Sequence, residues 1–200
     1  KNVEKLTELL KDVIHYRRVT DCLDMPEKNL IQVDLQIQDD ALLQQADIDK
    51  PHEYMAVLEK LSRAKVPHAL EWIKEFKKSN DGQLVIFSMY KEALFMMKEK
   101  LGKDFVLVTG EESARERAKN VKDFQQGKVR FIGLSFGAGA ESLNLQNANY
   151  ALYLNFPWTA GKLDQAIARV WRQGQEKPSF HYFLMSGESD KSIFLKVESK

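Results

Sequence analysis

The sequence has little cysteine, little net charge and no long apolar run. The single cysteine, Cys22, among 200 residues excludes an internal disulfide and a cysteine metal cluster, and it suits a reducing compartment, cytoplasmic or nuclear. Lys and Arg number 30 against 29 Asp and Glu, so the net charge of +1 offers no overall attraction to a polyanion, and any such site must be a local patch. No stretch approaches the roughly 20 apolar residues of a membrane span, and KNVEKLTELL lacks a signal-peptide core. We therefore expect no membrane partner.

Two kinds of catalytic motif are absent as well. The chain has no G-x-x-x-x-G-K-[ST] phosphate loop, and its strand ends show no Asp–Glu pair placed for magnesium. The four histidines have no metal-ligand spacing, so we expect no metal site. They are His15, His52, His68 and His181. This chain alone is not expected to hydrolyse a nucleotide.

From residue 83 onward, apolar runs of strand length alternate with amphipathic segments of helix length. This pattern is typical of repeated βαβ units and a parallel sheet. The runs are LVIF (84–87), FVLV (105–108), VRFIGL (129–134), YALYL (150–154) and FHYFLM (180–185). Ser113 and Glu116 have capping-box spacing before a helix that Gly127 ends. We predict an α/β fold with five buried strands.

The turn cluster at 79–82 separates this region from the residues before it. Upstream, the patterns predict a helix at 2–16, an extended piece at 30–35, and helices at 52–61 and 67–77. We therefore predict a helical lead-in or linker at 1–78 and an α/β lobe at 79–200. The chain begins without Met and ends on the amphipathic SDKSIFLKVESK, so we expect it to be a piece of a longer protein.

The stretch LDQAIARVWRQGQ predicts a helix with two separate faces. At 100° per residue, an apolar stripe that includes Leu163 and Val170 lies opposite Gln165, Arg169 and Arg172. An ordinary surface helix with solvated arginines also fits this pattern. However, the helix follows the strand YALYL and so starts at the carboxyl edge of the sheet, where open α/β folds bind ligands. A fork of guanidinium groups with an amide beside it suits a phosphate chain.

At this point the residues resemble a family. QAIARVWRQGQ resembles the last conserved motif, QAxxRxxRxGQ, of the SWI/SNF-type DNA translocases in helicase superfamily two. Trp158 matches the tryptophan of the family's WNP segment, and SFGAGAESLNL resembles STRAGGLGINL. Motif residues retained are Gln165, Ala166, Arg169, Arg172, Gly174 and Gln175, with Ser135, Ala138, Gly139, Asn144 and Leu145 in the preceding loop. The chain departs from the family at Trp171, where His is usual, and at Glu111 and Glu112, where Ser and Thr are usual.

The resemblance implies the C-terminal lobe of a two-lobed motor, with a RecA-like parallel sheet flanked by helices. ATP with Mg would be held mainly by an N-terminal helicase lobe, the partner of this one. Arg169 and Arg172 would act as arginine fingers, and Gln165 and Gly139 would also contact ATP. Asn144, Trp158 and Gln175 would couple nucleotide state to the grip on DNA. The implied protein is half of a DNA-dependent ATPase.

DNA contacts in such lobes go to phosphates and carry little sequence information. The candidates lie at or near strand ends or helix starts: Ser88, Thr109, Ser113, Arg117, Lys128 and Ser135. Ser113 is explained as a helix cap without any contact to DNA, and Arg117 and Lys128 are explained equally well as parts of a solvated helix face. Two other functions stay open: an RNA helicase lobe of the same superfamily, which the RxGQ ending disfavours, and a degenerate lobe acting as a protein-interaction module.

Overall fold

The computed structural model describes residues 3–11, 22–35, 37, 51–138, 143–187, 190–191 and 194–195. Five α-helices are formed there: α1 (Val3–Leu10), α2 (Pro51–Ser79), α3 (Lys91–Leu101), α4 (Ala114–Gln125) and α5 (Ala160–Val170). Six strands accompany them: β1 (Lys28–Asp34), β2 (Leu84–Ser88), β3 (Phe105–Val108), β4 (Phe131–Ser135), β5 (Tyr150–Tyr153) and β6 (Ser179–Met185). Among the described residues, no helix combines the length and the apolar character needed to cross a membrane.

The six strands form one sheet in the order β1-β6-β5-β2-β4-β3, and all neighbouring strands are parallel. The central strand β2 is buried along its whole length. A strand that is covered on both faces reads as a continuous apolar run, which explains why the five predicted strands are recognisable in the sequence. Their prediction as a parallel sheet is confirmed.

Helices cover both faces of the sheet, because successive strand residues point to opposite sides. Val85 packs in one core cluster, together with Phe124 of α4 and Ile167 of α5. Its neighbour Ile86 packs in the other cluster, against Ile73 of α2 and apolar residues of α3. The predicted layered arrangement of an α/β fold is therefore confirmed.

The sheet and its core continue across the boundary predicted near residue 79. β1 pairs with β6 in register from Lys28↔Ser179 to Asp34↔Met185, and α2 supplies Val66, Ala69 and Ile73 to the core. Strand β1 and helix α2, which the sequence assigns to a lead-in or linker, therefore contribute to the same sheet and core as the residues that follow. The two helices predicted at 52–61 and 67–77 are one helix, with Pro67 inside it. Residues 12–16 of the first predicted helix lie outside the described part of the chain.

The capping box at the start of α4 is confirmed. The Ser113 hydroxyl accepts the Glu116 backbone N–H, and the Glu116 carboxylate accepts the Ser113 backbone N–H. The hydroxyl also donates to that carboxylate over 2.8 Å. These bonds hold the pKa of Glu116 below its ordinary value. They fix the point at which the chain turns from the end of β3 into the helix.

Candidate functional site

The helix α5 presents the predicted apolar stripe to the core. Leu163, Ile167 and Val170 are buried, whereas Gln165 is exposed and Arg169 is half-buried. The helix ends at Val170, and Trp171 is already extended. The placement of Arg172 from a helical projection is therefore wrong, since this residue lies in the turn beyond the helix.

Two adjacent depressions lie along α5. The first, here called the inner cleft, lies between α5 and the carboxyl ends of β2 and β4. It is lined by Phe87, Leu134, Ser135, Phe136, Leu143, Lys162, Gln165, Ala166 and Arg169. The second, here called the arginine groove, is lined by Leu23, Gln165, Ala168, Arg169, Trp171, Arg172 and Gln173. Gln165 and Arg169 line both depressions, so the structure brings the predicted nucleotide-binding side chains of α5 together.

Arg169 is held by the loop that precedes β5. Its Nη1 donates to the carbonyl oxygen of Leu143 over 3.4 Å, and its own carbonyl oxygen accepts the backbone N–H of Leu145 over 3.1 Å. Partial burial lowers the pKa of Arg169, and the positive charge of Arg172 lowers it further. Two like charges held close together make the groove attractive to a negatively charged ligand.

The arginine groove is not at the carboxyl edge of the sheet, where the sequence places it. Only the start of α5 lies at that edge. At 1.5 Å per residue, Arg169 lies about 14 Å along the helix, toward the edge where β6 begins. Arg172 lies further still and lines the groove without lining the inner cleft. The side chains of α5 therefore connect two surfaces of the lobe.

The Gln-Gly-Gln turn after α5 is built around Gln175. Its buried side-chain amide donates to the carbonyl oxygens of Gln146 and Ala148, each over 2.9 Å, and lies 3.4 Å from that of Val170. Gly174 has a φ of +93°, a left-handed conformation that glycine adopts without strain. Gln175 thus ties the arginine turn to the loop that leads into β5.

Three of the predicted functional residues lie in that loop or at the strand end that precedes it. Ser135 ends β4, and its hydroxyl donates to the carbonyl oxygen of Thr109 and accepts the backbone N–H of Ala138. Asn144 is exposed, and its side-chain oxygen accepts the backbone N–H of Gln146 over 3.3 Å. Gly139, predicted to contact ATP, lies outside the described residues.

Four hydroxyl side chains predicted to contact DNA lie at the carboxyl edge, and each is engaged within the lobe. Ser88 is fully buried, and its hydroxyl is hydrogen-bonded to Tyr90 and Asn155. We therefore do not propose it as a DNA contact. Thr109 bonds to the Glu112 carboxylate through its backbone N–H and its hydroxyl. The remaining two have the partners described above. These bonds connect neighbouring loops across the carboxyl edge.

The two other predicted DNA contacts, Arg117 and Lys128, and the predicted coupling residue Trp158 lie apart from one another. Arg117 is half-buried in the first turn of α4, near the carboxyl edge. Lys128 lies between the end of α4 and the start of β4, which is the opposite edge, and its Nζ is 3.6 Å from Asp123. Trp158 is 45% exposed and faces a pocket beside α2 rather than the arginine groove. Lys128 therefore cannot belong to one continuous DNA-binding surface with the predicted contacts at the carboxyl edge.

Sequence reasoning missed Lys162. This exposed lysine lines the inner cleft with Gln165 and Arg169. Spacings of three and four residues place the three side chains on one face of a helix, and this periodicity is the signal by which Lys162 could have been found. Within the described ranges, no group of His, Cys, Asp or Glu side chains is arranged to hold a metal ion.

Sequence comparison identifies relatives of this chain. Residues 64–174 match the family model of the helicase conserved C-terminal domain. The chain is 31% identical over 136 residues to the DNA repair and recombination protein RAD54 of Saccharomyces cerevisiae. The aligned region covers 64% of this chain and 15% of that protein. The chain is also 31% identical over 141 residues to the putative ATP-dependent helicase/translocase YwqA of Bacillus subtilis, covering 68% of this chain and 15% of the relative. The chain thus spans only a small part of these relatives.

Solved structures share the fold. The Sulfolobus solfataricus SWI2/SNF2 ATPase core in complex with dsDNA superposes with a TM-score of 0.64 at 20% identity, over 98% of this chain and 50% of that one. The corresponding core domain gives a TM-score of 0.65 at 22% identity, over 99% and 48%. The RecA-like architecture expected from the sequence is confirmed. The match over residues 64–174 shows that the chain belongs to the helicase conserved C-terminal domain family.

Proposed function

We propose that this lobe supplies Arg169 and Arg172 to ATP with Mg held mainly by a second, phosphate-loop lobe, in a motor that moves along double-stranded DNA. The observation that carries the proposal is the arginine groove, where both guanidinium groups and the amide of Gln165 face one depression. Such donors stabilise the charge that develops on a phosphoryl group during transfer. The name of the Bacillus subtilis relative, an ATP-dependent helicase/translocase, supports this reaction class.

The DNA would bind at the carboxyl edge of the sheet, a surface separate from the arginine groove. One structural relative is a SWI2/SNF2 core in complex with dsDNA, and another relative is a DNA repair protein. The proposed contacts are Thr109, Ser113, Arg117 and Ser135, with Arg117 the cation among them. A conformational change at one surface would reach the other through the loop before β5. Arg169 is bonded to this loop at Leu143, and Gln175 is bonded to it at Gln146 and Ala148.

The first test is ATP hydrolysis by a protein that joins this chain to a phosphate-loop lobe. Arg169→Ala and Arg172→Ala should each lower DNA-stimulated kcat by a factor of about 10³ to 10⁵, the range observed for arginine fingers. Arg169→Lys should stay badly impaired, because it keeps the charge but loses the planar fork. The chain without its partner lobe should show no turnover.

Arg63→Ala is the matched control, since Arg63 is an exposed arginine on α2 that lines neither the inner cleft nor the groove. It should leave kcat unchanged. If both arginine variants hydrolyse ATP as fast as this control, the finger assignment is wrong. Equal stimulation by duplex RNA and duplex DNA would favour the RNA helicase function.

The second test is DNA binding by the chain itself. A net charge of +1 and few cations at the carboxyl edge predict weak, sequence-independent binding. Neutralising one phosphate through Arg117 gives a slope of roughly −1 when log affinity is plotted against log salt. Titration of a labelled duplex at several salt concentrations measures this slope. Tight binding that persists at high salt would contradict the proposed phosphate contacts.

A further inference from the structure

Trp171 stands between the two arginines of the proposed site, at a position where the resembled family usually has His. Its indole Nε1–H donates to the carbonyl oxygen of Pro26 over 2.8 Å. The ammonium group of Lys28 lies 4.8 Å from the centroid of its ring, within the range of a cation–π interaction. The side chain therefore connects the end of α5 to the segment that enters β1.

That segment is a firm anchor, because it is hydrogen-bonded to the sheet. The carbonyl oxygen of Glu27 accepts the backbone N–H of Ser179 over 2.9 Å, and Lys28 opens the parallel pairing with β6. The two residues that follow Pro26 are therefore bonded to the start of β6. The indole N–H therefore binds to a point that is fixed relative to the sheet.

Arg172 depends on such anchors since the helix does not hold it. It is exposed and lies two residues beyond the end of α5. On one side of it Trp171 is bonded to Pro26. On the other side the backbone N–H of Gln175 donates to the carbonyl oxygen of Arg172 over 2.9 Å, and the Gln175 side-chain amide donates to the carbonyl oxygens of Gln146 and Ala148. Arg172 therefore lies between two attachments to the rest of the lobe.

We propose that Trp171 is a positioning residue for Arg172, and that it acts through the hydrogen bond from its indole to Pro26. The proposal rests on the function proposed above. A phenylalanine side chain at position 171 keeps an aromatic ring for packing but has no N–H donor. The N–H donor is what distinguishes the positioning role from packing. Trp171→Phe removes that donor together with the second ring of the indole and keeps one aromatic ring.

The kinetic test uses the two-lobed protein. Trp171→Phe should lower kcat about 10-fold, with KM for ATP nearly unchanged, because an arginine finger acts in the transition state and a small displacement weakens it. In an Arg172→Ala background the same substitution should have no further effect on kcat, since the residue that it positions is gone. Additive losses in the double variant would show that Trp171 acts only on general stability.

The structural test uses the chain alone, and it separates this proposal from the proposed function. NMR relaxation of the Arg172 backbone amide should show greater mobility in Trp171→Phe. Trp72→Phe is the matched control, because Trp72 packs against Phe76 on α2, and it should leave Arg172 unchanged. Unchanged mobility in Trp171→Phe would overturn the positioning role. Increased mobility together with full activity of Arg172→Ala would uphold the positioning and reject the finger function.

Discussion

Replacement of Lys65 by methionine should destabilise the whole lobe. Lys65 lies on α2, within the segment that the sequence assigns to a lead-in, and it is only 1% exposed. Its ammonium group donates to the carbonyl oxygens of Leu154 and Leu184, over 2.8 and 2.9 Å. It also lies 2.5 Å from the Asp190 carboxylate. One side chain therefore joins α2 to the ends of β5 and β6 and to a residue beyond the sheet.

The cost follows from the groups that Lys65→Met leaves behind. The methionine side chain fills a similar volume but donates no hydrogen bond, so Asp190 loses its positive partner. Asp190 keeps two hydrogen bonds, from the backbone N–H and the hydroxyl of Ser186. Removing one partner of a buried ion pair costs about 3 to 5 kcal/mol. With a urea m-value of about 2 kcal/mol per molar, the unfolding midpoint should fall by about 2 M.

The assay is urea denaturation followed by both circular dichroism and tryptophan fluorescence. Lys74→Met is the matched control, because Lys74 is exposed on the same helix, and its midpoint should stay close to that of the unmodified chain. Both probes should report one transition for each variant, since α2 belongs to the core of the sheet. An unchanged midpoint for Lys65→Met, or separate unfolding of α2, would refute the single-unit organisation.

Two other substitutions test buried polar groups. Burial lowers the pKa of His181 to about 3, with a smaller contribution from the charge of Lys28, so the unfolded chain binds a proton that the folded chain rejects. The contribution of neutral His181 to the free energy of unfolding is complete above pH 6.5 and is lost as the pH falls toward 3. Unfolding measurements from pH 6.5 to 5 should show a loss of about 2 kcal/mol. His181→Gln should abolish this pH dependence. Gln175→Glu should lower the free energy of unfolding by on the order of 3 kcal/mol, because a carboxylate would face three carbonyl oxygens. Gln173→Glu is the control at an exposed position, and it should cost little in thermal or urea unfolding. Equal effects of the two substitutions would contradict the role assigned to Gln175.

The strands that could be predicted are those whose burial is nearly complete. β2 and β4 consist only of buried residues, and their apolar runs are evident in the sequence. β1 alternates between exposed and half-buried residues at one side of the sheet, so KNLIQVD shows only that it is extended, not which strand it pairs with. Proline suggests a helix break at Pro67, but buried residues on both sides of it hold one continuous helix.

The candidate site was predictable where local spacing decides the geometry. The face of α5 follows from helical periodicity, and the capping box of α4 follows from two residues three apart. Long-range partners decide the rest, and no local pattern reveals them. The bond from Trp171 to Pro26 spans 145 residues, and the bond from Ser88 to Asn155 spans 67. Local spacing therefore does not reveal that Arg172 lies beyond the end of α5 or that Ser88 is fully buried.

The pairing of β1 with β6 imposes an order on folding. Asn29 and Ser179 are 150 residues apart in sequence, yet they lie beside each other in the sheet. During synthesis, β1 leaves the ribosome long before its only described neighbour exists. Until β6 is made, β5 has an unpaired edge that can associate with other strands. Such distant pairing raises the contact order and slows folding. The lobe can complete its sheet only after nearly the whole chain has been translated.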